Sequence, residues 1–249
     1  MTRRLDGRVA LVTGAGQGIG RGAALALARE GASVAVAGRT LSKCEAVAAE
    51  IAALGGQALA IACDVSLREQ VDAAVEATVR SFGGLDILVN NAQSSVQAKL
   101  EDTTDEDVDL AWRTGALATL YAMQAALPYL KESGRGSIVN FGSSTAIEGN
   151  VAFGAYAMAK EAIRGLSRVA SREWGRFGIR VNVIVPNALS PASQDFRATH
   201  PDRFARMEAR VPLGRVGDPE ADIGRAVVAL AADDLTYLSG QTLMLTGGA

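Results

Sequence analysis

Apolar and polar positions follow two different rhythms along the 249 residues. Short, nearly continuous aliphatic runs stand at 9–12, 34–36, 87–89, 137–140 and 181–184. A weaker run at 58–61 fits a further strand, and 243–245 a short last one. Longer Ala-rich stretches separate them. Strands this short and this uniformly aliphatic read as parallel strands with helices on both faces. The alternation predicts an α/β fold: a doubly wound parallel sheet of about seven strands flanked by helices, with right-handed crossovers. No Pro/Gly/Ser-rich linker or internal repeat interrupts residues 1–249, which predicts a single domain. Ser42-x-x-Glu45 and Ser66-x-x-Glu69 read as capping boxes, Asp218-Pro219 as a helix start, and the acids of 102–109 as a helix N-terminal turn. The polar, Pro-containing stretch 186–218 follows a strand's C-terminal end. It is expected to be irregular and is a candidate substrate lid.

Composition narrows the function. Hydrophobic residues make up 49% of the chain and aromatic residues 5%, which is enough for a large aliphatic core. Lys and Arg number 25 against 27 Asp and Glu, a balance that disfavours nucleic acid as a partner. Cys44 and Cys63 are too few for a disulfide framework and read as structural thiols of a reducing compartment. No apolar run reaches the ~18–20 residues of a membrane helix, and the run after the basic start is too short for a signal peptide. The expectation is a cytoplasmic protein with no membrane partner. His200, the one histidine, has no Cys or His companions, so no metal site is expected.

The first strand runs into Thr13-Gly14-Ala15-Gly16-Gln17-Gly18-Ile19-Gly20, and a helix follows at once. Glycines let a backbone turn tightly against a pyrophosphate, and a helix N-terminus offers free amides and a positive dipole end. The strand-turn-helix context points to dinucleotide binding. No Gly-Lys-Ser/Thr follows, which excludes a phosphate loop. The second strand ends at Gly38-Arg39, where a carboxylate would favour NAD(H). Arg39 instead offers a guanidinium to a 2′-phosphate, so NADP(H) is favoured over NAD(H). Asp64 either accepts from the adenine amino group or caps a turn. Tyr156 and Lys160 lie four apart at the start of a predicted helix and hence on one face. A neighbouring ammonium favours tyrosinate and is expected to lower the phenol's pKa.

Together, Thr13-Gly14-x-x-x-Gly18-x-Gly20, Asn90-Asn91-Ala92, Ser143 thirteen residues before Tyr156, and Tyr156-x-x-x-Lys160 resemble the short-chain dehydrogenase/reductase family over essentially the whole chain. The resemblance implies a Rossmann-type fold and an oxidoreductase that interconverts a ketone and a secondary alcohol in a homotetramer or dimer. It makes Tyr156 the acid/base, Ser143 the substrate-oxygen donor, and Lys160 a partner of both Tyr156 and the cofactor ribose. Gly14, Gln17, Gly18, Ile19, Gly20, Arg39, Asp64, Val65, Asn91, Tyr156, Lys160 and Leu189 become expected cofactor contacts. Asn90 reads as structural. Four positions depart from the family pattern. Gln93 stands where Gly is usual. Gly115 stands where an Asn normally supports a water beside the lysine, a role for which Thr114 or water alone is the alternative. Asn187 follows Pro186, and Thr246 precedes Gly247-Gly248. Two other functions stay open. Arg164, Arg168, Arg172 and Arg176 recur every four residues, as a carrier-linked 3-oxoacyl thioester reductase would use them, or as a solvated stripe. The departures themselves would suit a dinucleotide-binding sensor or scaffold with little catalysis. Phe196, Phe204 and Met207 are candidates to line an apolar substrate pocket.

Overall fold

The computed structural model describes residues 3–249, apart from the side chain of residue 192. Seven strands form one sheet: β1 (Val9–Thr13), β2 (Ser33–Gly38), β3 (Ala58–Ala62), β4 (Ile87–Asn90), β5 (Ser137–Phe141), β6 (Arg180–Pro186) and β7 (Thr242–Leu245). Their order is β3-β2-β1-β4-β5-β6-β7, with every pairing parallel. The helices are α1 (Gly18–Arg29), α2 (Leu41–Ala53), α3 (Arg68–Phe82), α4 (Asp105–Ala111), α5 (Ala118–Ser133), α6 (Ser144–Glu148), α7 (Gly154–Trp174), α8 (Pro191–Thr199), α9 (Pro201–Glu208) and α10 (Arg225–Ala231). This is the doubly wound fold that the alternation predicts, and its strand order reverses between β1 and β4. Chains leave β1 and β4 in opposite directions there, which opens a crevice at the strands' C-terminal ends.

The two faces explain the continuous aliphatic runs. Ala10 and Val12 of β1 pack with α1 and α10 on one face. Val9 and Leu11 pack with α3 and α5 on the other. A strand buried on both sides has no polar alternate positions to display. Helix α1 is rich in Ala and Gly because it runs close to its neighbours. A Cβ on Gly224 would stand 2.7 Å from the Ala26 Cβ of α1.

Buried polar groups lock the layers. Asn90 donates to Asn140 Oδ1 at 2.8 Å, and Asn140 donates to Ser167 Oγ at 2.8 Å. This chain of amides ties β4 and β5 to α7 and gives Asn90 the structural role expected of it. At the sheet's other end, Arg180 is buried and donates to the carbonyls of Leu230 and Ala232, at the end of α10.

Several expectations need correction. Neither Ser42 nor Ser66 caps a helix. α2 starts after Thr40 and α3 after Leu67, both without side-chain caps. Ser66 donates instead to Asp64 Oδ1 at 2.8 Å. Capping boxes occur at Thr104/Asp107 and at Ser190/Ser193, where no acid of the usual length marks the second. Asp218 does cap its helical turn, accepting from Glu220 N and Ala221 N. The stretch 186–218 is irregular only in part, at 187–190 and 209–218. Pro191 and Pro201 each open a helix, α8 and α9, where a residue without an amide proton costs nothing.

Candidate active site

The glycine turn after β1 is built for close approach. Gly14 (φ +63°) and Gly18 (φ +57°) adopt the left-handed region that favours glycine. Asn91 holds the turn from below, donating its side-chain amide to the carbonyls of Thr13 at 3.0 Å and Gly14 at 3.1 Å. The Thr13 hydroxyl accepts from the amides of Asn91 and Ala92. Helix α1 begins at Gly18 with neither a side-chain cap nor an acidic residue in its first turn. Its leading amides and dipole end therefore stay available to an anion.

A cleft of about 390 Å³ opens over this turn. Gly14, Gln17, Gly18, Ile19, Arg39, Asp64, Val65 and Asn91 all line it, as do the unpredicted Lys43, Ser94, Ser190 and Pro191. Lys43 Nζ donates to Gln17 Oε1 at 2.7 Å, and Arg39 donates to Ser94 Oγ at 3.2 Å. Two exposed cations thus flank the cleft beyond β2. Lys43 was detectable as a basic residue one helical turn after Arg39. Ser190 and Pro191 reach the cleft only through the tertiary fold. Glycines that a Cβ would block, uncapped amides and paired cations fit a dinucleotide phosphate.

Besides Tyr156 and Lys160, two expected contacts do not line the cleft. Gly20 is buried. A Cβ there would stand 2.5 Å from Asn91 Nδ2 and closer still to the Gly14 carbonyl, so this glycine serves the packing of α1 against the glycine turn and Asn91. Leu189 turns into a backbone pairing with Gly217 at 3.0 Å. Asp64 lines the cleft and also closes a turn through Ser66. Burial pushes its carboxyl up, but the two Ser66 hydrogen bonds and the Arg39 charge overcome this and hold it below the usual value.

Tyr156, Lys160 and Ser143 do not line that cleft; they stand at the C-terminal end of β5 and the start of α7. Lys160 is buried, its Nζ donates to the Phe141 carbonyl at 2.8 Å, and it lies 5.6 Å from the Tyr156 ring centroid. Burial lowers its pKa to about 7. Burial also raises the Tyr156 phenol above its ordinary value, while its hydrogen bonding with Ser143 acts in the opposite direction. The lowering expected from Lys160 does not appear in the protein alone, where desolvation of the phenol dominates.

The remaining candidates separate. Thr114 is committed: it accepts from Ser94 N at 3.0 Å and lies 2.6 Å from the Leu110 carbonyl, to which it donates. Arg164 pairs with Glu161, while Arg168, Arg172 and Arg176 are exposed. Phe204 is buried, Phe196 half-buried and Met207 exposed. His200 ends α8 and stacks on Phe196. Cys44 and Cys63 are buried free thiols, and burial pushes Cys63 up to about 11.

Residues 14–249 match the family model described as enoyl-(acyl carrier protein) reductase. The chain is 43% identical to a 12α-hydroxysteroid dehydrogenase of a Clostridium species, over 98% of this chain and 96% of that protein. It is 38% identical to the hydroxynaphthalene reductase-like protein Arp2 of Metarhizium robertsii, over 99% and 96%. A solved 7α-hydroxysteroid dehydrogenase, complexed with NADH and 7-oxo glycochenodeoxycholic acid, superposes with a TM-score of 0.93 at 33% identity, covering 100% and 96%. The chain belongs to the short-chain dehydrogenase/reductase family. Within it, this protein is an alcohol dehydrogenase of the short-chain type, with a Rossmann-like NAD(P)-binding fold.

Proposed function

We propose that this enzyme interconverts a secondary alcohol and a ketone on a bulky alicyclic skeleton, a hydroxysteroid being the leading class, and that it prefers NADP(H) to NAD(H). The observation that carries the chemistry is the close grouping of Ser143, Tyr156 and Lys160 at the C-terminal end of β5. The hydroxysteroid class rests on the relatives at 43% and 33% identity. When bound, the cofactor supplies or accepts the hydride. Tyr156 gives its proton to the substrate oxygen in reduction and takes it back in oxidation. Ser143 donates to that same oxygen and steadies its developing charge. Lys160 spends one of its three donors on Phe141 O and has others for a ribose hydroxyl. Arg39 and Lys43 favour the 2′-phosphate that distinguishes NADP(H). Helices α8 and α9 within 186–218 act as the lid over an apolar substrate, and the active form is a homo-oligomer.

The test is a screen of oxo- and hydroxysteroids, with simple cyclic ketones as controls, using both nucleotides at saturation. NADPH-dependent reduction of a steroid ketone is expected, with Tyr156→Phe at least a thousandfold slower, on the scale of a lost general acid. Equal rates for that variant and the parent would remove Tyr156 from its role. Tight NADPH binding without turnover on any carbonyl or alcohol would favour the sensor reading. Exposed Arg168 and Arg172 favour the second enzymatic reading, carrier-linked thioester reduction. Reversing both to Glu should cut turnover of a carrier-bound substrate at least tenfold if that reading holds.

A further inference from the structure

The loop after β4 carries one anomaly. Gln93 lines the nucleotide cleft, yet both heteroatoms of its carboxamide are buried and have no hydrogen-bond partner. Native proteins rarely leave such groups unpaired, and each one deserves a cause. The cause begins at Gly115. A Cβ there would lie 2.9 Å from Gln93 Nε2, 3.0 Å from Cδ and 3.1 Å from Oε1. Gly115 belongs to a π-helical stretch, Trp112–Leu117, between α4 and α5. Its missing side chain leaves a notch, and the carboxamide lies in it.

The flanking backbone cannot move to satisfy the amide. Ser94 N donates to Thr114 Oγ1 at 3.0 Å, which pins the loop to the same π-helical stretch. Thr114 itself is committed to that amide and to the Leu110 carbonyl. The side chain, unlike the loop, holds no bond that would oppose its rotation. A carboxamide that lines a ligand cleft and has no protein partner is placed to take one from a ligand.

We propose that Gln93 is a cofactor-binding residue, stowed in the Gly115 notch when the cleft is empty and turned outward to hydrogen-bond a sugar hydroxyl of the dinucleotide. A hydroxyl both donates and accepts, which matches the two edges of a carboxamide. Binding then supplies partners for both edges of the amide. Gly115 is what allows the stowed state, so the two departures from the family pattern are one feature. This inference rests on the dinucleotide reading of the cleft.

The experiment compares the full-length parent, Gln93→Met and Gly115→Ala by fluorescence titration with NADPH and with 2′,5′-ADP, alongside thermal unfolding of each free protein. Gln93→Met removes the unpaired amide and keeps the shape. It is expected to unfold at the parent's temperature or above and to bind NADPH about fivefold to tenfold more weakly. Gly115→Ala fills the notch and pushes the amide toward the cleft. It is expected to bind NADPH at least as tightly as the parent. A matching loss for 2′,5′-ADP identifies the adenosine ribose, and a loss confined to NADPH the nicotinamide ribose. Unchanged affinity in Gln93→Met, or an equal loss in Gly115→Ala, would overturn the proposal. Failure of the parent to bind either nucleotide would instead sink the dinucleotide reading.

Discussion

At the residue scale, Lys160 links burial to pH. Its ordinary pKa of 10.5 belongs to the unfolded chain, whereas in the fold burial lowers it to about 7. Between those values the unfolded chain holds a proton that the native protein does not. Unfolding then takes up a proton, so this group's contribution makes stability rise from about pH 7 toward 10.5. Tyr156 is raised above 10 and so titrates outside most of that window. Lys160→Met is expected to flatten the rise, read as denaturant midpoints of both proteins at pH 7 and pH 9. Parallel midpoints would show that burial does not oppose the charge. The thiols give a second residue-scale expectation. Cys63 at about 11 and the likewise raised Cys44 carry almost no thiolate at neutral pH. Neither should react with an aromatic disulfide reagent until the protein unfolds, and fast labelling of the native protein would contradict their burial.

At the scale of elements, the cleft depends on how closely α1 approaches the glycine turn and Asn91. Gly20→Ala places a methyl group against Asn91 and the Gly14 carbonyl, where backbone must shift. A loss of about 1–3 kcal/mol is expected from overpacking, together with weakened nucleotide binding. Urea denaturation and the same titration measure both, and an unchanged midpoint would mean that the turn has slack. Helix α7 is held by different chemistry. Ser167→Ala leaves the buried Asn140 amide with one acceptor fewer, at a cost of about 1–3 kcal/mol. Most elements were legible because their causes are local. Aliphatic runs marked the strands, and Asp218-Pro219 marked a helix start. Ser42 and Ser66 misled because a Ser-x-x-Glu pattern says nothing about where the preceding strand releases the chain. The helices of 191–208 were hidden by polar sequence whose stability comes from paired prolines, a Ser190/Ser193 cap and the burial of Phe204.

At the scale of the whole molecule, the nucleotide should act as a stabiliser. A ligand that binds only the folded state at a hundred times its Kd adds about 2.7 kcal/mol. At equal concentration NADPH is expected to raise the melting temperature more than NADH does, and Arg39→Ala combined with Lys43→Ala should erase that difference. A larger shift with NADH in the parent would overturn the assigned preference. Arg39 was visible in the sequence, but its pairing with Lys43 across one cleft was not, because α2 had to be placed before the two cations could be seen to converge. The same holds for Ser190 and Pro191, which come from the far half of the chain.

The sequence by itself determined the sheet, the glycine turn and the Tyr156-Lys160 spacing. Each depends on backbone conformation and periodicity over a few residues. Only the tertiary structure decided the charge states and the partners. Lys160 is shifted by everything packed around it, Gly20 serves packing because Asn91 and the Gly14 carbonyl lie against it, and Gln93 meets Gly115 across 21 intervening positions. Desolvation and steric fit are properties of a filled volume, which no local stretch of chain contains.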